Sequence, residues 1–344
     1  MSHRMFFSRL APQRIAVDLG TANTLIYMGG RGIVLNQPSV VCFQKGMHAG
    51  SGRVAAVGEE ARQLLGRSPG NLEAIRPMRH GVIADFSAAE RMFREFVEMA
   101  HLRSLFGRRA EFTICVPCAA TEVERRAIRE AALAAGAAKV NLIDESLAAA
   151  VGAGLPVGEA RGSMVVDIGG GTTEVAVIAL GGVVYQGLVR VGGDQFDAAI
   201  VSHVRNLYGV VLGDQTAEHV KKTIGAATLN IADERMRVVG RSLTDGLPRT
   251  IELSNHDVAD ALSAPLRTVI SAIKGALEAA PPELVTDIAE SGIVLTGGGA
   301  LLAHLDARLR EETGLAVRVA NEPLTCAVRG ASAAAGCVDA AAFS

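Results

Sequence analysis

Ile15-Ala-Val-Asp-Leu-Gly-Thr-Ala-Asn-Thr24 and Met164-Val-Val-Asp-Ile-Gly-Gly-Gly-Thr-Thr173 read as one pattern written twice, with Asp18 and Asp167 149 residues apart. In each, a short apolar run predicts a strand that ends near an Asp. A turn of Gly, Thr and Asn follows, and a second apolar run (Leu25–Met28, Glu174–Ala179) predicts a returning strand. Turns of these residues present backbone N–H groups with little side-chain bulk, which suits phosphate oxygens. The Asp before each turn sets a carboxylate at a strand end. Carboxylates there suit Mg²⁺, which keeps several waters and bridges protein acids to substrate phosphates. A single turn of this kind is equally an ordinary hairpin. Two with the same Asp-x-Gly start, and a third glycine cluster at Leu295-Thr-Gly-Gly-Gly-Ala-Leu301, favour nucleotide binding. That third cluster lies between a predicted strand, Gly292–Leu295, and a predicted helix, Ala300–Glu312, whose N-terminus favours anions. Neither G-x-x-x-x-G-K-[ST] nor G-x-G-x-x-G occurs, so the P-loop and Rossmann solutions are unsupported.

Working outward, strand-like and helix-like segments alternate, the signature of an α/β fold. Phe112–Val116 predicts a strand stopped by Pro117. Thr121-x-x-Glu124 is a capping box that opens a helix running to Ala135 and stopping at Gly136. Val140–Ile143 predicts a strand, and helical patterns cover Leu147–Ala153, Phe196–Tyr208, Ala217–Gly225 and Val258–Glu278. A chain of 344 residues is expected to form about two domains, and the echo spacing matches one domain length. The crossing is expected near Gly152–Gly162.

Composition removes several classes of function. With 49% apolar and 20% charged residues the chain is not intrinsically disordered. Thirty-four Lys and Arg balance 36 Asp and Glu, and aromatics reach only 4% without any Trp, which argues against nucleic-acid binding. Five cysteines, an odd and sparse set, fit a reducing cytoplasm. Cys115-Val-Pro-Cys118 has no second pair at ligand spacing and reads as structural thiols rather than a redox or zinc site. The apolar run Met5–Phe7 is far below the roughly 7–15 residues of a secretory segment. Val175–Val189, interrupted by Gly181-Gly182, reads as strand, turn, strand rather than a membrane span.

Taken together, these motifs resemble the MreB family of bacterial actin-like filament proteins, within the actin, sugar kinase and heat-shock ATPase superfamily. Besides the two turns, the matching text includes Arg76-Pro77, Gly81-Val-Ile-Ala-Asp-Phe86, Glu124-Arg-Arg-Ala127, Gly193-Asp194 with Asp197, Thr216-Ala-Glu-His-Val-Lys221, Pro281-Pro-Glu-Leu284 and Gly292–Leu302. The resemblance spans residues 13 to 330. It implies an actin-like fold, two ribonuclease-H-like domains with inserted subdomains around a nucleotide cleft. On that pattern residues 1–12 form a membrane-binding segment, and 13–150 form domain I with an insertion at about 36–108. Residues 151–318 form domain II with an insertion at about 198–258, and 319–344 return to domain I.

The resemblance also implies site residues for ATP and Mg²⁺. Gly20, Thr21, Ala22 and Asn23, with Gly169, Gly170, Gly171 and Thr172, would hold the phosphates. Asp18 and Asp167 would organise Mg²⁺ through water. Glu218 and Lys221 match the pair that contacts the nucleoside, with Gly297, Gly298, Gly299 and Ala300 on its other side. Glu145, helped by Thr172, matches the acid that orients the attacking water, and hydrolysis would rest on positioning and charge stabilisation. Read without the family, Glu218 and Lys221 make a surface i,i+3 ion pair, and Asp144-Glu145 are helix-start acids. One departure falls beside the site: Ser146 stands where the family carries Pro, which leaves the hydrolysis rate open.

Two segments suit a lipid surface. On a helix, Phe6, Phe7 and Leu10 share one face opposite Arg4, Ser8 and Arg9, and Leu105-Phe106 precedes Gly107-Arg108-Arg109. The family implies self-assembly into filaments at the inner face of the cell membrane, a RodZ-like adaptor, and the cell-wall elongation machinery that sustains rod shape. A superfamily small-molecule kinase, or a divergent accessory paralogue with altered hydrolysis, is the alternative. A kinase would need a substrate pocket with its own general base, for which no separate motif is found.

Overall fold

The structure, a computed structural model, describes residues 13–44, 52–100, 102 and 110–341. The chain divides into two units, Met1–Gly154 with Thr325–Ser344, and Leu155–Leu324.

In unit 1, β1 (Gln13–Leu19), β2 (Asn23–Met28) and β3 (Gly32–Pro38) form an antiparallel meander. The small strands β4 (Val41–Gln44), β5 (Val54–Val57) and β6 (Leu72–Ile75) make a separate sheet, and β7 (Met78–Arg79) and β8 (Val82–Ile83) a short hairpin. Next, β9 (Ala110–Val116) and β10 (Lys139–Asp144) add in parallel beside β1, giving the order β10-β9-β1-β2-β3. Ile15, Ala16 and Val17 are buried in succession, as expected of a strand covered on both faces. The helix Phe86–Met99 buries Ala89, Met92, Phe93 and Phe96 at helical spacing, and Phe93 meets Phe112 edge-on. Between β9 and β10, helix Glu122–Ala134 opens on a complete capping box: Thr121 Oγ1 accepts from Glu124 N, and Glu124 accepts from Thr121 N.

Unit 2 repeats the plan. β11 (Ser163–Ile168), β12 (Thr173–Ala179) and β13 (Gly182–Val189) form the antiparallel meander. A small sheet of β14 (Val210–Val211), β15 (Arg235–Ser242) and β16 (Pro248–Ser254) follows, and β17 (Ile293–Thr296) and β18 (Val317–Val319) add in parallel beside β11. The order β13-β12-β11-β17-β18 has the same arrangement of parallel and antiparallel neighbours as unit 1. The echo extends to register, since Leu19 faces Thr24 across the first turn and Ile168 faces Thr173 across the second. The hairpin read in Val175–Val189 is β12–β13, turning through Leu180 and Gly181, both at positive φ.

Several sequence expectations shift. The units divide after Gly154 and Leu324 rather than at 150/151 and 318/319. Helix Glu145–Gly152 completes unit 1 first, and β18 is still paired within the sheet of unit 2. The helix expected over Ala300–Glu312 is broken. A 3₁₀ turn, Gly298–Leu301, is separated from helix Leu305–Thr313 by extended Leu302 and by His304 at φ 60°. The terminal helix Cys326–Ala341, which sequence reasoning did not predict, packs on helix Glu145–Gly152 and on β1 and β9. The two helices approach so closely at Gly152 and Gly330 that a Cβ on either would strike backbone of the other. Among the described residues no helix is long and apolar enough to cross a membrane.

Candidate functional site

In unit 1 the turn Gly20–Asn23 joins β1 to β2. It is held from outside by one serine: Ser39 Oγ donates to Gly20 O at 2.7 Å, and Ser39 N donates to Ala22 O at 2.9 Å. Thr24 Oγ1 completes the knot, 2.9 Å from Ser39 Oγ. Buried Thr21 accepts from Gly81 N at 3.0 Å through its Oγ1. A Cβ on Gly20 would stand 2.7 Å from Asn23 O, so the turn closes only around glycine. Two of the turn's carbonyls are thus engaged, while among the described residues no protein group accepts from the amides of Thr21 or Ala22. Asp18 sits near the end of β1, partly buried, level with Cys115 on β9.

Glu145 is the first residue of helix Glu145–Gly152, immediately after β10. Its neighbour Asp144 pairs with Arg125 at 3.2 Å, which gives Asp144 a structural task and separates the two acids. Ser146, in the position of the family's Pro, is fully buried. Cys115 is buried, its Sγ 3.6 Å from Ala327 O, and Cys118 is half-buried.

In unit 2 the turn Gly169–Thr172 closes on a bond from Gly169 N to Thr172 O. Its carbonyls are held by the start of helix Gly193–Tyr208. Gly193 N donates to Gly169 O at 3.0 Å, and Asp194 N to Gly170 O at 2.7 Å. Here too, among the described residues, the amides of Gly170 and Gly171 have no protein acceptor. Orphaned amides on a tight glycine turn form an anion-binding concavity. Thr172 is buried at the end of this turn.

Asp167 is only 6% exposed. Burial pushes its carboxyl up to about 6, while the Thr296 hydroxyl, donating to Oδ2 at 2.8 Å, pulls the other way. The third glycine cluster packs against this carboxylate. Gly297 has φ 77°, and a Cβ on it would stand 2.6 Å from Asp167 Oδ1. A Cβ on Gly299 would strike the Ile168 side chain. Packing therefore accounts for Gly297 and Gly299, and the cluster opens a four-residue 3₁₀ turn, Gly298–Leu301, rather than the expected helix N-terminus. Ala300 is buried and Leu301 exposed.

Glu218 and Lys221 do not pair with each other. Glu218 bonds Lys222 at 2.5 Å, one turn further along helix Asp214–Ile224. Lys221 turns inward to Asp197 at 2.8 Å and donates to Gly193 O at 2.9 Å. Burial pushes the Asp197 carboxyl up to about 6 in spite of the Lys221 ammonium, and the charges of Glu218 and Asp194 push in the same direction. Sequence reading gives no role to Thr296, Gly81 or Asp197, which lie within its motifs, and does not reach Ser39. Phe6, Phe7, Leu10, Leu105 and Phe106 lie outside the described residues.

A strand–turn–strand unit with parallel strands added beside its first strand, present twice in one chain, defines an actin-like fold. The likeness to solved structures bears this out. MreB5 of Spiroplasma citri bound to AMPPNP superposes with a TM-score of 0.91 at 31% identity, covering 97% of this chain and 98% of the other. The same protein bound to ADP gives 0.89 at 31% identity, covering 95% and 97%. A MamK double helical filament gives 0.78 at 21% identity, covering 95% and 99%. The MreB/Mbl protein family matches residues 12–342. The cell shape-determining protein MreB of Escherichia coli K12 is 54% identical over 325 residues, 94% of each chain. The chain belongs to the MreB/Mbl family.

Proposed function

We propose that the chain is a cytoskeletal ATPase that binds Mg·ATP, assembles into filaments at the inner face of the cell membrane and directs cell-wall synthesis for rod shape. The observation that carries the reading is the repeated turn. Carbonyls at both Gly20–Asn23 and Gly169–Thr172 are held by protein, while the amides of Thr21, Ala22, Gly170 and Gly171 have no protein acceptor among the described residues. Such amides, each set close behind an Asp, suit the oxygens of a polyphosphate. The related MreB5 binds AMPPNP and ADP, and the E. coli relative determines cell shape.

Asp18 and Asp167 supply hard oxygen donors, and a buried carboxylate such as Asp167 is stabilised in its charged form by a cation, so the donor set fits Mg²⁺ held through water. Bound there, Mg²⁺ compensates phosphate charge. Glu145 orients the attacking water with the help of Thr172. Glu218, Lys221 and Gly297–Ala300 serve the nucleoside. Phe6, Phe7, Leu10, Leu105 and Phe106 hold the filament to lipid, where a weak contact repeated along a polymer becomes a strong one.

Sedimentation of the purified chain with Mg·ATP, with and without anionic vesicles, tests the reading. Pelleting that requires nucleotide, and vesicle binding that rises with polymerisation, are expected. A chain that stays in the supernatant under every nucleotide condition refutes the filament. Equal vesicle binding by monomer and polymer refutes avidity.

A further inference from the structure

We propose that Asp197 and Lys221 form a strut that fixes the Gly169–Thr172 turn, with Asp197 a positioning residue that acts through Lys221. This rests on reading that turn as a phosphate cradle.

The two side chains are 15% and 14% exposed, and they join helices Gly193–Tyr208 and Asp214–Ile224. Taking both charges out of water is costly, and an exposed pair would link the helices at less expense. What burial adds here is a fixed direction for the ammonium. Lys221 Nζ donates to Gly193 O at 2.9 Å while Asp197 holds it from another side at 2.8 Å. The oxygen it takes belongs to the peptide between Gly193 and Asp194. The N–H of that same peptide donates to Gly170 O at 2.7 Å.

A peptide with a cation on its oxygen is a stronger donor at its nitrogen, because bonds in a chain polarise one another. Charge on Asp197 and Lys221 is therefore relayed through one peptide onto the turn. The neighbouring bond, Gly193 N to Gly169 O, holds the adjacent carbonyl. Space is closed around the relay: a Cβ on Gly193 would stand 3.3 Å from Lys221 Nζ, and one on Gly192 would stand 2.6 Å from Gly169 O. With these carbonyls pinned, the Gly170 and Gly171 amides keep one orientation.

The test uses the full chain and Mg·AMPPNP, with affinity read by calorimetry in Asp197→Asn, Lys221→Met, their double variant and Lys221→Arg. Each of the first two is expected to lose on the order of tenfold in affinity. The double variant should lose no more than the worse single, because one strut is broken once. Lys221→Arg, which keeps the cation, should recover part of the loss. Hydrogen exchange on the nucleotide-free protein should show faster exchange at the Gly169, Gly193 and Asp194 amides in Asp197→Asn, with the β11 and β12 amides beyond the turn unchanged. Unchanged affinity in Asp197→Asn overturns the strut. So do losses that multiply in the double variant, which would have Asp197 act by a route other than Lys221. If the unmodified chain binds no AMPPNP, the phosphate reading fails, and exchange at the Gly169, Gly193 and Asp194 amides still decides whether the strut exists.

Discussion

The turns after β1 and β11 follow the same path and are secured by different chemistry. In unit 1 a serine does it, with its hydroxyl and its backbone N–H together. Ser39, just after β3, bonds two turn carbonyls, and Gly81, from the β7–β8 hairpin, bonds the Thr21 hydroxyl. In unit 2 the backbone does it, through the first amides of helix Gly193–Tyr208. The carboxylates differ in step. Asp18 is level with Cys115 and partly solvated, whereas Asp167 is level with Thr296, buried and hydrogen-bonded to it. Topology sets where a turn sits, and the residues around it set how firmly it is held and what its acid costs to ionise.

The largest expected effect separates the two acids. Asp167→Ala should weaken Mg·AMPPNP binding by about 3 kcal/mol or more, on the order of 100-fold, and Asp18→Ala by less, because water already shares its charge. Calorimetry giving equal losses would break the distinction between the units. Glu145→Ala should retain nucleotide affinity while phosphate release slows by at least about 100-fold. Normal release would move the role away from this helix start.

The pH dependence follows from burial. Asp167 and Asp197 are both raised to about 6. A carboxyl raised in the folded state binds its proton more tightly there than in the unfolded chain. Its contribution to stability is full below its ordinary value near 4 and is lost as pH rises through 6. The nucleotide-free protein should therefore lose on the order of a few kcal/mol from these groups between pH 4 and pH 6. Urea unfolding across that interval checks it. Saturating Mg²⁺ and nucleotide should flatten the part due to Asp167, and a slope unaffected by ligand would detach Asp167 from the site.

The smallest effects exchange the partners. Thr296→Val removes the hydroxyl from a buried carboxylate and should cost about 1.5–3 kcal/mol of stability. Cys115→Thr, its counterpart in unit 1, should stay within about 1 kcal/mol because Asp18 has solvent to call on. Thermal unfolding that ranked these two the other way would show that the level position of the residues, not burial, governs the pairing.

What could be read from the sequence was the part with local signals. The paired turns, the strands on either side of them and the capping box at Thr121 carry their periods and turn residues within a few positions of one another. The shortest strands escaped, since Met78–Arg79 and Val210–Val211 are too brief to show an alternation. The break before helix Leu305–Thr313 depends on His304 adopting a left-handed conformation, which no residue type there demands. Partners distant in sequence escaped as well. Thr296 meets Asp167 only because β17 pairs with β11, and Lys221 reaches Asp197 on another helix while Glu218, its neighbour along the chain, is taken by Lys222.

Unit 1 is discontinuous, and that settles an order of events. A ribosome makes β1 to β10 and helix Glu145–Gly152, then all of unit 2, and only afterwards Cys326–Ala341. Unit 2 is one uninterrupted stretch and has its full set of residues first. Unit 1 waits with the Gly152 face of its helix uncovered until the last sixteen-residue helix arrives. The first half of the protein to be synthesised is the second to be finished, and a break in translation after unit 2 leaves behind one complete unit and one that lacks the cover for β1, the strand that carries Asp18.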